Sequence, residues 1–317
     1  MKTRKIKFYL KPTILMMAAV IVLASCKKDD DDDMTPMPTP QPNIVEVAAS
    51  NAQFSTLVTA VTKAGLVDAL QADGPMTVFA PTNDAFDMLF AQLGVSGIDA
   101  LTADQLTPIL LYHVVSGKVM AADVTSGYIP TLNTTAPGNN SVLLLADVSK
   151  GVQLNGSANV TATDIAASNG VIHVIDKVLL PPDVVDMAIN NSNFSILVEA
   201  VVKAGLVDAL KAEGPFTVFA PTNAAFQALF TQLGVSGIAD LTADQLTPIL
   251  LYHVVSGNVR AADVTSGMVP TLNPDAMIDI VVSQSGVNLN GSANVVATDV
   301  QGTNGVIHVI DAVILPQ

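Results

Sequence analysis

The sequence contains no tryptophan, a single cysteine and few aromatic residues of any kind. Aromatic side chains account for 4% of its 317 residues. Stacking platforms for bases or sugars are therefore sparse, because such platforms are built from aromatic rings. One cysteine excludes a disulfide within the chain and any zinc site that requires several cysteines.

Basic residues are also scarce. The chain has 14 Lys and Arg against 28 Asp and Glu, a net charge of −14. Binding to nucleic acid is excluded as the main function, since it requires clustered positive charge. The hydrophobic fraction, in contrast, is 50%, which excludes a disordered protein. The length suits two domains of about 150 residues each.

Short motifs of catalysis and of cofactor binding are missing as well. No His-x-x-x-His or Cys pair supplies the three or four ligands of a zinc site. There is no Gly-x-Ser-x-Gly elbow, no phosphate-binding Gly-rich loop and no EF-hand loop. We therefore expect no enzymatic activity, no metal and no bound cofactor.

The N-terminus has the pattern of a secretory signal. Five basic residues precede an apolar run from Ile14 to Leu23, which is too short to cross a bilayer as a helix. The run ends Leu23-Ala24-Ser25-Cys26, at the one cysteine of the chain. This end resembles a bacterial lipobox, which predicts a signal peptide over residues 1–25 and lipidation of Cys26. An ordinary signal peptide with an incidental cysteine is the alternative.

Residues 26–42 form a polar leader and a stalk. A run of five aspartates, Asp29 to Asp33, repels itself and stays solvated. Four prolines follow before residue 43, which favours an extended spacer. The aspartates either act as a solubilising spacer or resemble the acidic export signal of surface lipoproteins in Bacteroidetes-like bacteria. With a lipidated Cys26, residues 26–42 are expected to form a membrane anchor through the N-terminal lipid, a charged leader and a stalk.

The rest of the chain is a tandem repeat. Residues 51–133 align with 191–273 without a gap, and about 65 of the 83 positions are identical. Later the offset falls from 140 to 135, which places a length difference in a loop between Thr134 and Lys150. A period of this size is a whole domain. We expect domain 1 over residues 43–181 and domain 2 over residues 182–317, sitting close together because their join is short.

Each repeat combines helical and strand patterns. Apolar residues at helical spacing predict helices within 44–49, 54–70, 82–90 and 101–115. Thr82 or Asn83 is the expected cap of the third helix, and Thr102 with Gln105 forms a capping box before the fourth. Short β-branched runs predict strands at 77–80, 141–147, 152–154, 159–162 and 170–179. The pattern indicates an α+β domain, in which a helix-rich first half packs on a small β-sandwich.

Three local patterns recur in both copies: Thr77 to Phe86, Tyr112-His113, and Asn169 to Asp176. In this order and at these separations they resemble the two boxes and the intervening Tyr-His of the fasciclin-like domain. The resemblance covers nearly all of residues 43–317. It implies two tandem fasciclin-like domains, each a small β-sandwich or wedge with a helical layer.

The resemblance and the residues together assign roles to particular side chains. The family motif implies an adhesive or interaction role for four residues: Tyr112, His113, Tyr252 and His253. Structural roles are expected for eight: Thr82, Asn83, His173, Asp176, Thr222, Asn223, His308 and Asp311. All four histidines lie in apolar runs, which predicts packed rings with one hydrogen bond to the backbone. Asp84 and Asp87 are replaced by Ala224 and Gln227 in the second copy, so we interpret them as acids at a helix start.

Two classes of function stay open. The first is a non-enzymatic adhesion or matrix-interaction module on an outer-membrane lipoprotein, exposed at the cell surface, with a protein or glycan partner. The second is a periplasmic or surface lipoprotein that binds a ligand or glycan. A deep apolar cavity in either domain would favour the second. An enzyme would need a cleft with a titratable pair that the sequence does not show.

Overall fold

The computed structural model describes residues 40–274 and 276–316. The predicted signal peptide, Cys26 and the aspartate run lie outside the described residues, as does most of the predicted proline-rich stalk. Residues from Pro40 onward form one compact unit that contains both repeats. No helix within the described ranges has the length and apolar character needed to cross a membrane.

The helices and strands predicted for domain 1 occur in the predicted order, and two further strands, at 114–116 and 127–130, were not predicted. Its helices are α1 (Ile44–Ala49), α2 (Ser55–Lys63), α3 (Val67–Gln71), α4 (Asn83–Leu93) and α5 (Ala103–Tyr112). Its strands are β1 (Met76–Pro81), β2 (Val114–Ser116), β3 (Gly127–Pro130), β4 (Leu143–Asp147), β5 (Gln153–Leu154), β6 (Ala158–Ala167) and β7 (Gly170–Ile175).

Domain 2 repeats these elements. Its helices are α6 (Val184–Asn190), α7 (Ser195–Lys203), α8 (Val207–Lys211), α9 (Asn223–Leu233) and α10 (Ala243–Tyr252). Its strands are β8 (Phe216–Pro221), β9 (Val254–Ser256), β10 (Gly267–Pro270), β11 (Met277–Ser283), β12 (Gly286–Leu289), β13 (Ala293–Gly302) and β14 (Gly305–Ile310). The loop before β4 is longer than the loop before β11, which locates the length difference between the copies.

Each domain contains one seven-stranded sheet. The order in domain 1 is β2-β1-β7-β6-β5-β4-β3, and domain 2 has the equivalent order. The β1–β7 pair is parallel and the other pairs are antiparallel. The two edges approach each other, because the Leu132 amide donates to the Val114 carbonyl at 2.8 Å. The sheet therefore curls into a wedge that is nearly a barrel, and the predicted α+β class is confirmed.

Two apolar layers stabilise each domain. In domain 1 the first lies between the helices and the sheet and includes Phe54, Phe86 and Leu106. The second fills the interior of the curled sheet around Tyr112 and Leu154. All six residues of β7 are buried because this strand separates the two layers. A strand covered on both faces carries a continuous apolar run, as the sequence of this strand indicated.

Two of the sequence-based boundaries were wrong. The helix predicted over 54–70 breaks after Lys63, where Gly65 takes a positive φ of 68° that favours glycine. The helix predicted over 101–115 ends at Tyr112, and Val114 already belongs to β2. Val114 pairs with Val78 of β1, so pairing across the sheet overrides the helical spacing of the local sequence.

Candidate functional site

The Tyr-His pair lies at the end of α5, between the helical layer and the sheet. Tyr112 is fully buried, and its hydroxyl donates to the Leu143 carbonyl at 2.9 Å. The same oxygen accepts from Asn155 Nδ2 at 3.0 Å. Burial raises the pKa of the Tyr112 phenol, against a smaller lowering by the Asn155 hydrogen bond. The phenol therefore stays neutral and ties α5 to β4.

His113 is buried beside it and uses both ring nitrogens. Nδ1 lies 2.8 Å from the Ile109 carbonyl, and Nε2 accepts from the Leu179 amide at 2.9 Å. Since an amide can only donate, Nε2 carries no proton and Nδ1–H donates to Ile109. Burial lowers the pKa of His113 to about 4. The ring is neutral and connects α5 to the last residues of the domain.

The second copy has the same arrangement. Tyr252 donates to the Met277 carbonyl at 2.8 Å and accepts from Asn290 Nδ2 at 2.8 Å. His253 Nδ1 lies 2.7 Å from the Ile249 carbonyl, and its Nε2 accepts from the Ile314 amide at 3.1 Å. Burial lowers the pKa of His253 to about 4.

Tyr112, His113, Tyr252 and His253, for which the family motif implied an interaction role, are all engaged in these internal contacts. All four side chains are buried inside the fold and bonded to its backbone. They are not available to a partner while the domains are folded. At these positions the motif residues connect α5 and α10 to the sheet and the C-terminal segment of each domain.

In the first of the two boxes, Thr77 to Phe86, the threonine and the asparagine that follow Pro81 have different roles. Thr82 is the N-cap of α4 and accepts from the Ala85 amide at 3.3 Å. Asn83 instead reaches back to the helical layer, where it accepts from the Thr56 amide at 3.0 Å and donates to the Ala52 carbonyl at 2.9 Å. Thr222 and Asn223 repeat these contacts in domain 2. Asp84 lies in the first turn of α4, as expected of an acid at a helix start.

The second box, Asn169 to Asp176, connects β7 to β6. His173 Nδ1 accepts from the Asp164 amide at 3.2 Å, and its Nε2–H donates to the Val119 carbonyl at 2.9 Å. The Asp176 carboxylate accepts from the backbone amide and the side-chain amide of Asn159 at 2.7 and 2.8 Å. The two histidines of a domain thus hold opposite tautomers, and each makes two hydrogen bonds where one was predicted.

His308 and Asp311 follow the same scheme in domain 2. His308 Nε2–H donates to the Val259 carbonyl at 2.9 Å, and Asp311 accepts from both amides of Asn294. Burial lowers the pKa of His308. The described residues contain no group of His, Cys, Asp and Glu arranged to hold a metal ion. The signature residues of both boxes are therefore occupied in holding the fold together.

The junction between the two domains is a second candidate for a functional region. Tyr128 of β3 packs against the core of domain 2, and its hydroxyl accepts from Asn191 Nδ2 at 2.9 Å. Arg260 donates to Asn140 Oδ1 at 2.9 Å and lies 3.5 Å from Asp299. Burial raises the pKa of Tyr128, partly opposed by the Asn191 hydrogen bond.

The backbones also approach closely at this junction. A Cβ built on Gly156 would lie 2.6 Å from the Asn190 carbonyl oxygen, so only glycine fits there. Sequence reasoning missed the junction residues. The available signal was that Tyr128 of domain 1 is replaced by Met268 at the matching position of a nearly identical repeat.

Two open clefts flank the junction. One of about 560 Å³ is lined partly by Lys177, Asp186 and Lys211. Lys211 is paired with Asp186 at 2.5 Å and with Asp183 at 3.2 Å. The other, of about 620 Å³, lies around Tyr128 and Asn191. Each domain also has an apolar groove in its helical layer, of about 140 Å³ in domain 2 and about 30 Å³ in domain 1.

Fold and motifs together define a duplicated α+β domain whose signature polar residues hold its helices, sheet and C-terminal segment together. The family model of the Fasciclin domain matches residues 52–181 and again residues 192–316. The chain belongs to the fasciclin domain family.

Individual relatives match one repeat or both. Protein sll1483 of Synechocystis sp. is 52% identical over 139 residues, which cover 44% of this chain and 73% of that protein. Human periostin is 28% identical over 254 residues, which cover 79% of this chain but 29% of periostin. A solved structure of a FAS1 domain pair from the insect cell adhesion molecule Fasciclin I covers 84% of this chain and 98% of its own, at 21% identity and a TM-score of 0.48.

Proposed function

We propose that this protein is a non-enzymatic adhesion or interaction module that a lipid on Cys26 holds at the cell surface. One observation carries the proposal: two fasciclin domains form a single compact unit in which the signature residues are used internally. Function then resides on the outer surface of the pair. The family resemblance supports adhesion as that function, with a protein or glycan as the partner.

The sequence before the folded unit supports the anchoring. A lipobox-like end at Cys26, an aspartate run and a proline-rich spacer place the fasciclin pair at a distance from a membrane. The excess of acidic residues keeps the domains soluble and repels them from anionic lipid headgroups. Surface exposure on the outer membrane is the proposed location, with the periplasmic face as the alternative.

Protease treatment of intact cells tests the location. We expect the fasciclin pair to be released from cells that carry the wild-type chain. Cys26→Ala removes the lipidation site and is expected to leave no membrane-bound chain. Full resistance of the membrane-bound wild-type chain in intact cells, with cleavage after lysis, would place it in the periplasm.

Adhesion itself is tested separately. Beads coated with the chain lacking residues 1–26 are measured for retention on matrix proteins and on a bacterial glycan array. Retention above that of beads coated with an unrelated acidic protein is the expected result. Equal retention on every surface for both kinds of bead would contradict the proposed interaction with a protein or glycan.

The ligand-binding alternative depends on a deep apolar cavity. Pockets for small ligands usually measure about 300–1,000 Å³. The larger apolar groove in the described residues has about 140 Å³ and lies between the helices of domain 2. It is too small for an apolar ligand of ordinary size, and the two larger clefts beside the junction are open and lined by charged and polar residues as well as apolar ones. Adhesion is therefore the function that the structure supports better.

A further inference from the structure

The duplicated sequence allows each surface of domain 1 to be compared with its counterpart in domain 2. We define the strand face of domain 1 by Tyr128 and Leu143, which lie on β3 and β4. Both side chains pack against the apolar core of domain 2. The strand face of domain 1 is therefore covered within the chain.

The strand face of domain 2 has no such cover. Its residues are Met268 and Met277, which occupy the positions of Tyr128 and Leu143 in the matching strand pair. They are exposed by 58% and 45%. Gly156 touches the neighbouring domain, whereas nothing lies within 4 Å of a Cβ built on its counterpart Gly291. An exposed pair of large apolar side chains on a strand pair is a typical site of association.

The opposite side of the junction shows the complementary difference. We define the helix face of domain 2 by Met187, Val300 and Gln301 on α6 and β13, all of which are buried. The matching helix face of domain 1 consists of Val47, Ile165 and Ala166, where Ala166 is exposed and the other two are half-buried. Each end of the molecule thus presents one uncovered half of the junction.

The two uncovered halves also differ from the covered pair in a coordinated way. The junction contains the Arg260–Asn140 hydrogen bond. At the position of Arg260, domain 1 has Met120. Asn140 lies in the loop before β4, and the matching loop before β11 of domain 2 is shorter. Both polar partners are lost together, so neither free face leaves a group of that pair unsatisfied when it is covered.

We propose that the chain associates head to tail with a second copy of itself, strand face of domain 2 against helix face of domain 1. The contact repeats the arrangement that already joins the two domains within one chain. Because the two faces are different surfaces, the contact is heterologous and leaves a free face at each end for further copies. This inference goes beyond adhesion to another molecule and stands independently of it.

The association between two copies is expected to be weak and to depend on salt. Within one chain the short linker supplies an effective concentration in the millimolar range, which two separate copies lack. Each copy also carries a large excess of acidic residues, so the copies repel one another. Raising the ionic strength from about 0.01 M to about 0.15 M shortens the Debye length from about 30 Å to about 8 Å. Association is therefore expected to strengthen with salt, as an apolar contact between like-charged molecules should.

Sedimentation velocity of the chain purified without residues 1–26 tests the proposal. We expect the wild-type weight-average mass to rise with concentration beyond that of a dimer. The strand-face variant Met268→Glu/Met277→Glu and the helix-face variant Ala166→Glu each bury an unpaired charge in the contact. Each is expected to weaken self-association about tenfold or more. Val202→Glu changes an exposed apolar residue of α7, outside both faces, and is the matched control.

Mixing the variants distinguishes this geometry from the alternatives. The strand-face variant retains an intact helix face, and Ala166→Glu retains an intact strand face. At concentrations where neither variant associates measurably by itself, an equimolar mixture should form heterodimers and no larger species. Wild-type behaviour of Ala166→Glu would show strand faces pairing with each other and would overturn the proposal. A wild-type chain that stays monomeric at high concentration and salt would also overturn it, and far-UV circular dichroism confirms that each variant is folded.

Discussion

Protonation of the two buried Tyr-His histidines is predicted to destabilise the fold between pH 7 and pH 4. His113 and His253 each accept a backbone amide on Nε2, and both rings are buried. Adding a proton to Nε2 removes that acceptor and places a charge in the apolar core. Burial accordingly lowers the pKa of each ring to about 4.

The direction and the size follow from linkage. A pKa that is lower in the folded state than in the unfolded state means that the unfolded chain binds protons first as the pH falls. Stability is therefore complete above the unfolded pKa of about 6.5 and declines down to about pH 4. At pH 5.5 the loss is about 1.4 kcal/mol for each histidine, and the full loss approaches about 3 kcal/mol for each. The lowered pKa of His308 acts in the same direction.

Urea unfolding followed by far-UV circular dichroism measures this loss, since the chain has no tryptophan for fluorescence. The wild-type chain is compared at pH 7.5 and pH 5.5 with the variant His113→Gln. Acidic residues titrate in both proteins, so the difference between them isolates His113. We expect the wild type to lose about 1.4 kcal/mol more than the variant over this range.

Nuclear magnetic resonance of the imidazole rings provides the direct check. The ring of His113 should remain neutral, with the proton on Nδ1, down to about pH 5. His173 should carry its proton on Nε2. An ordinary pKa near 6.5 for His113, or the same tautomer in both rings, would refute the assignment of these hydrogen bonds.

Three further predictions concern the remaining contacts. Tyr112→Phe should lower the free energy of unfolding by about 1–3 kcal/mol, because the Leu143 carbonyl and Asn155 lose a buried partner; an unchanged urea midpoint would contradict the role of the hydroxyl. Asn83→Ala should cost about 1–2 kcal/mol in thermal unfolding, since its amide joins α4 to the helical layer. Tyr128→Ala should loosen the two domains and increase the radius of gyration in X-ray scattering, whereas an unchanged radius would show that other contacts hold the junction.

Helix caps and the buried central strand are the features of the fold that the sequence predicted well. The capping box of Thr102 and Gln105 forms both of its hydrogen bonds. Thr82 caps α4, and the buried β7 follows from its unbroken apolar run. These features depend on neighbouring residues in the chain, whose geometry is set by backbone stereochemistry and capping.

Roles that depend on distant partners were harder to predict. The apolar run around His113 predicted a packed ring, but the partners of Tyr112 on β4 and of His113 at the Leu179 amide come from distant parts of the chain. The sequence indicated one hydrogen bond for each histidine, because the second partner lies far along the chain. Val114 continues the helical spacing of α5, but pairing with β1 decides its conformation.

By itself, the sequence determined that the protein is a duplicated α+β domain, because repetition and local patterning are properties of the chain. Only the tertiary structure decided which surfaces are free. Tyr128 and Met268 occupy matching strands of nearly identical repeats, yet one packs against a neighbouring domain and the other is exposed to solvent. Burial depends on what covers a residue in space, and that neighbour cannot be identified from local sequence.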